Sequence, residues 1–194
     1  MIAKGLDFPG VTLVGVIDAD VGMNLPDFRA AERTFQLLAQ VAGRAGRSVK
    51  AGHVIVQTRM PEHHAVVCAV THDYHSFVAR ELADRRAPAY PPMVRLANVV
   101  ISGLEETDVA EVAQSATSWL QRLVENRQLT GVRVIGPAPS PITRIKSRYR
   151  WHLLLKSTDG RVLTNVLRFF AERFEVPARH ELRVSVDRDP VTLL

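Results

Sequence analysis

The residues best suited to chemistry are arginines, in two settings. In Gln40-Val41-Ala42-Gly43-Arg44-Ala45-Gly46-Arg47, two guanidiniums three positions apart follow a helical periodicity that glycines break. A guanidinium stays charged at any working pH and can grip phosphate oxygens as a bidentate fork, while glycine lets the backbone approach a ligand closely. That combination suits a phosphorylated ligand. In Arg144-Ile145-Lys146-Ser147-Arg148-Tyr149-Arg150-Trp151-His152, basic residues alternate with Ile145, Ser147, Tyr149 and Trp151. An extended backbone there sets Arg144, Lys146, Arg148, Arg150 and His152 on one face and Ile145, Tyr149 and Trp151 on the other. Such a row would neutralise a nucleic-acid backbone, or it would protect an edge strand by charge, and periodicity alone does not separate the two.

Elements able to position these residues can be read from periodicity. Val11 to Ile17 is a short β-branched run that ends at Asp18-Ala19-Asp20, and His53 to Thr58 is another; both suit buried strands of a parallel sheet. Between them, Ala31, Phe35, Leu38 and Ala42 recur at helical spacing within residues 30–45. The segment from Pro61 to Arg86 is expected to be helical throughout. Ala87-Pro88-Ala89-Tyr90-Pro91-Pro92 disfavours helix and marks a junction, giving domains 1–87 and 88–194. Beyond it, a strand (94–102), a helix (105–126), strands at 132–135 and 149–156, a helix (162–174) and a strand (182–187) spell β-α-β-β-α-β, a ferredoxin-like α+β pattern.

Two stretches in fixed order carry a family resemblance. Lys4-Gly5-Leu6-Asp7-Phe8-Pro9 leads into the first strand, and Gln40 to Arg47 closes the helix after it. They resemble motifs V and VI of superfamily 2 helicases. With Asp27-Phe28-Arg29-Ala30-Ala31-Glu32-Arg33, Gly136-Pro137-Ala138-Pro139, Arg148-Tyr149-Arg150-Trp151-His152 and the ending Asp187-Arg188-Asp189-Pro190, they resemble the PriA-type replication-restart DNA helicases. The resemblance implies an α/β, partial RecA-like second helicase lobe ahead of the ferredoxin-like domain. It implies Gly5, Asp7, Gln40 and Gly43 near the nucleotide, and Arg44 and Arg47 at the triphosphate, one acting as arginine finger. It also implies ATP, magnesium and zinc in the longer protein, branched or single-stranded DNA bound through Arg144, Lys146, Arg148 and Arg150, and primosome proteins and single-stranded-DNA-binding protein as partners, with Arg161 contributing. Fragments of RecQ-like or RecG-like helicases, or a ribosomal-protein-like nucleic-acid module, are the rival readings.

The sequence has neither a phosphate loop nor an Asp-Glu magnesium motif, and Met1 falls inside motif V, so it is expected to be a truncated piece that hydrolyses no ATP alone. Cys68 is the one cysteine, which excludes an intramolecular disulfide and a zinc knuckle. His63, His64, His72 and His75 lie near it in sequence without a ligand spacing, and no metal site is expected. The net charge is +5, with most of the excess after residue 87, and no apolar run spans a membrane, so a cytoplasmic protein is expected.

Overall fold

The two β-branched runs pair in parallel as β1 (Leu13–Val16) and β2 (His53–Val56), with Val14 opposite Val54 and Val16 opposite Val56. This comes from a computed structural model that describes residues 12–43 and 52–194, and the chain divides between Ala87 and Pro88 into two compact units. Among the described residues, four helices accompany the strand pair: α1 (Asp20–Met23), α2 (Ala30–Ala42), α3 (His64–Val70) and α4 (Tyr74–Arg86). The apolar stripe of α2 buries Phe35 and Leu38 against Ala65, Val66 and Ala69 of α3 and Phe77 of α4. Phe35 and Phe77 stack with centroids 4.1 Å apart. The described part of this unit is an α/β arrangement.

The expected single helix over residues 61–86 is two helices. His72 takes a positive φ of 55°, and the Asp73 carboxylate accepts a hydrogen bond from the Ser76 amide at 2.9 Å, opening α4 as its N-cap. An aspartate that satisfies an orphan N–H starts a new helix more readily than it continues an old one. His63 caps α3 the same way, its Nδ1 accepting from the Ala65 amide at 3.2 Å.

The second unit runs β3 (Arg95–Gly103), α5 (Glu106–Asn126), β4 (Val132–Ile145), β5 (Arg148–Ser157), α6 (Gly160–Arg173) and β6 (Arg183–Arg188). Its antiparallel sheet has the order β4-β5-β3-β6. Each helix therefore joins two strands with another strand between them, the split βαβ arrangement of ferredoxin-like folds. Acidic Glu106 and Asp108 in the first turn of α5 oppose the helix dipole, and Asp159 caps α6 by accepting from the Arg161 and Val162 amides. Along α5, Val109, Val112, Ala113, Ala116 and Leu120 form the buried stripe; along α6, Leu163, Val166, Leu167 and Phe170 do the same. Both pack on the sheet face that carries Val99, Ile101, Leu153 and Leu155. Each such fully buried side chain contributes about 2 kcal/mol of hydrophobic stabilisation.

The edge strand β4 extends ten residues past its expected end at Ile135, with irregular register between Ile135 and Ala138 and between Pro139 and Arg144. Pro137, Pro139 and Pro141 fall in this irregular stretch. Among the described residues, no helix is long and apolar enough to cross a membrane.

Candidate nucleic-acid interface

The basic segment around residue 146 is a hairpin rather than one strand. Ile145 opposite Arg148 is the last pair of β4 and β5, and Lys146 (φ 49°) and Ser147 (φ 63°) reverse the chain between them. Two central residues with positive φ are the signature of the primed turns that match the strand twist of tight hairpins. The reversal breaks the period of two. Arg148, Arg150 and His152 share the sheet face turned away from α5 and α6, but Arg144 pairs with Tyr149 and shares the face of Tyr149 and Trp151. Its guanidinium carbon lies 4.9 Å from the Tyr149 ring centroid. Lys146 occupies the turn itself. The expected row of Arg144, Lys146, Arg148 and Arg150 on one face is thus corrected to three separate placements.

Arg148 is further set apart by its contacts. Its Nη1 lies 2.8 Å from the Glu181 Oε2, its Nη2 donates to the Glu181 carbonyl, and its side chain is 17% exposed. It therefore ties β5 to the loop before β6. Arg150 makes one long contact, Nη1 to the Ile142 carbonyl at 3.5 Å, and Arg144 and Lys146 are exposed. A further signal was open to sequence reading: residues 126–158 contain seven Lys or Arg and no Asp or Glu. This acid-free stretch spans all of β4 and all of β5.

Buried polar groups back the open face of the hairpin. Lys156 donates to the Pro88 carbonyl at 2.7 Å and sits 3.7 Å from the Tyr90 ring centroid; burial, then Arg133, hold its pKa below the ordinary lysine value. Lys156 thus fastens the proline segment and is spent on structure. Burial, then Arg150, depress the pKa of His152, which favours the neutral imidazole; its buried Nδ1 has no hydrogen-bond partner among the described residues. Trp151 is half-buried against the core.

Of the expected nucleotide site, Gly5, Asp7, Arg44 and Arg47 lie outside the described residues. Gln40 is exposed near the end of α2, and Gly43 closes the helix with φ −68° and ψ −10°, its N–H reaching the Ala39 carbonyl at 3.0 Å. A charge network holds α2 against α4. Arg85 Nη2 lies 2.8 Å from Glu32 Oε2 and 2.7 Å from Glu81 Oε1, and Glu81 Oε2 meets His64 Nε2 at 3.1 Å. Burial pulls the Arg85 pKa down, but the hydrogen bonds to Glu32 and Glu81 outweigh it and raise the pKa overall. At the C-terminal ends of β1 and β2, the Asp20 carboxylate accepts from the Thr58 hydroxyl and from the Arg59 amide at 2.8 Å, and these bonds lower its pKa.

Arg161 is exposed in the first turn of α6. The next residue, Val162, lines a pocket of about 180 Å³ between α5 and α6 with Leu123, Arg127, Asn165 and Phe169. The His63 and His64 rings stack with centroids 4.4 Å apart, because His63 stands outside the helix as its cap. Among the described residues, no group of three or more His, Cys, Asp or Glu is placed to hold a metal ion.

Comparison with known proteins gives these placements a context. The family model described as "Primosomal protein N C-terminal domain" matches residues 86–191. The chain is 43% identical over 196 residues to a replication restart protein PriA of Bacillus subtilis (strain 168), covering 100% of this chain and 24% of that protein. It is 44% identical over 194 residues to the PriA of Treponema pallidum (strain Nichols), covering 100% of this chain and 29% of the relative. With the PriA of Haemophilus influenzae, identity is 35% over 193 residues, 100% of this chain and 26% of the relative. The chain spans about a quarter of the length of these curated relatives.

Proposed function

This chain belongs to the primosomal protein N C-terminal domain family, and from that membership we propose that it holds branched or single-stranded DNA for a longer replication-restart helicase. The observation that carries this reading is the acid-free β4–β5 hairpin, a basic edge with no carboxylate of its own to repel or compete with phosphate. Lys146 and Arg150 contact phosphates, and Arg144 takes part from the same hairpin. Arg148 acts at one remove, by keeping β5 against the β6 loop.

In the same reading, residues 1–87 supply part of a RecA-like second lobe. Gly5, Asp7, Gln40 and Gly43 lie near ATP and its magnesium, and Arg44 and Arg47 stabilise charge on the transferring phosphoryl group. ATP hydrolysis then drives unwinding at stalled forks, in the cytoplasm. The zinc of the wider family finds no fitting ligand set among the described residues: Cys68 is the one cysteine, and burial raises its thiol pKa. Its ligands belong to other parts of the longer protein. Arg161 and the α5–α6 pocket beside it serve primosome proteins and the acidic tail of single-stranded-DNA-binding protein, for which a cation next to an apolar pocket is suited.

The test is a salt titration of forked-DNA binding by the 194-residue chain, comparing the wild type with a K146A/R150A double variant. Two lost phosphate contacts should lower affinity and flatten the log–log salt slope by about 1.5. The melting curve should stay in place, since neither side chain is in an ion pair among the described residues. An unchanged slope with an unchanged melt would remove the hairpin from DNA binding.

A further inference from the structure

The Arg144–Tyr149 pair does more than supply charge. Tyr149 packs against the core of the second unit, and the Arg144 guanidinium lies over its ring, its carbon 4.9 Å from the centroid. Arg144 is itself exposed, so the layers run from core to tyrosine to guanidinium to solvent. Among the described residues, no carboxylate forms an ion pair with Arg144; the hairpin's ion pair is made by Arg148. A planar, delocalised cation already stacked on a ring and open on its outer side offers a flat surface to another flat group. The neighbouring isoleucines, Ile142 at 43% and Ile145 at 41% exposure, add apolar surface to a basic edge, and Lys146 in the turn adds a charge.

We propose that the Arg144–Tyr149 stack is a platform for an unpaired base, which makes the hairpin a reader of single-stranded nucleic acid at a junction. This rests on the reading of the hairpin as a DNA-binding edge and names the part of the DNA it takes. A duplex offers phosphates along its length, but its base faces are covered by their neighbours in the stack. Only an unpaired nucleotide can lay its face on the guanidinium. Lys146, one residue past Ile145 at the hairpin tip, then meets a phosphate of the same strand. The base supplies stacking energy that charge alone does not, and the preference is for unpaired over paired substrate rather than for sequence.

Charge and planarity are separated by R144K, which keeps the cation and removes the flat surface. The readout is the affinity of the full chain for a short oligodeoxyadenylate, for an abasic oligomer of equal length and for a blunt duplex. R144K should weaken oligodeoxyadenylate binding by roughly tenfold, leave the salt slope unchanged, and leave abasic and duplex binding as in the wild type. A Y149L variant, which keeps apolar packing but removes the ring, should reproduce the loss; melting curves identify a folding defect, and R144K at an exposed site stands without it. Equal binding of the base-bearing oligomer by wild type and R144K overturns the platform while leaving the basic edge intact. Equal loss on the base-bearing and abasic oligomers also overturns it, by making Arg144 a plain phosphate contact. If K146A/R150A leaves the salt slope unchanged as well, the DNA-binding reading beneath the platform fails separately.

Discussion

Arg85 in the first unit and Arg144 in the second put one side chain to opposite uses. Arg85 is buried between two carboxylates, Glu32 and Glu81, and joins α2 to α4. Arg144 is exposed, lies on a tyrosine ring and sits in a stretch free of acidic residues. A guanidinium surrounded by fixed carboxylates has its hydrogen-bonding capacity consumed by the fold, whereas one stacked on an aromatic keeps its edge donors for a ligand. Arg148 falls between these cases. It belongs to the basic hairpin by sequence and to the folding arginines by contact, through Glu181.

Removing Arg85 should give the largest effect. R85A leaves the buried Glu81 with the His64 contact alone and takes the guanidinium from the part-exposed Glu32, and should cost about 3 kcal/mol, read from chemical unfolding of the first unit. R85K, which cannot fork to both carboxylates, should lose part of that. If R85A costs less than about 0.5 kcal/mol, the two arginines do not differ in kind. Next in size is R148A, expected to destabilise the second unit by about 1 kcal/mol, because the Glu181 contacts are exposed and only the 3.5 Å contact from Nη2 to the Ser102 carbonyl is partly sheltered. The slope of DNA binding against salt should not change in R148A, which separates it from Lys146 and Arg150 in the same hairpin.

The smallest effect concerns His152. Its folded pKa lies below the ordinary value, so the fold favours the neutral ring, and no stability is lost while the pH stays above the unfolded pKa of about 6.5. As pH falls from that value towards the depressed folded pKa, the unfolded chain binds the proton first and stability drops. Below the folded pKa the loss is complete and levels off. H152Q should reduce this acid sensitivity of the second unit's melting temperature, and R150A should reduce it in part, since Arg150 is the second cause of the depression. A melt with the same pH dependence in wild type and H152Q would show that the ring is not held neutral.

Much of this architecture is legible in local pattern. Val109, Val112, Ala113, Ala116 and Leu120 announce α5 by spacing, and the order of strands and helices after residue 88 announces the split βαβ arrangement. The hairpin is not legible in the same way. Lys146 and Ser147 adopt positive φ although neither is the glycine or asparagine that usually signals such a turn. They are held there because β5 is paired along its length with β3 while β4 returns beside it. The contact between Arg148 and Glu181 joins residues 33 apart in the chain, and no periodicity reports it. The break at Asp73 was readable in principle, since an aspartate followed three residues later by a capped serine amide is a helix start.

The alternating prolines of β4 bear on how the molecule behaves in concentrated solution. Pro137, Pro139 and Pro141 remove three N–H donors from five consecutive residues of an edge strand whose register is already irregular. A strand from another molecule approaching that edge finds no continuous ladder to extend, so copies of this chain cannot zip together there into a growing sheet. The edge left open for a ligand is thereby closed to fibre formation by the backbone of the strand itself.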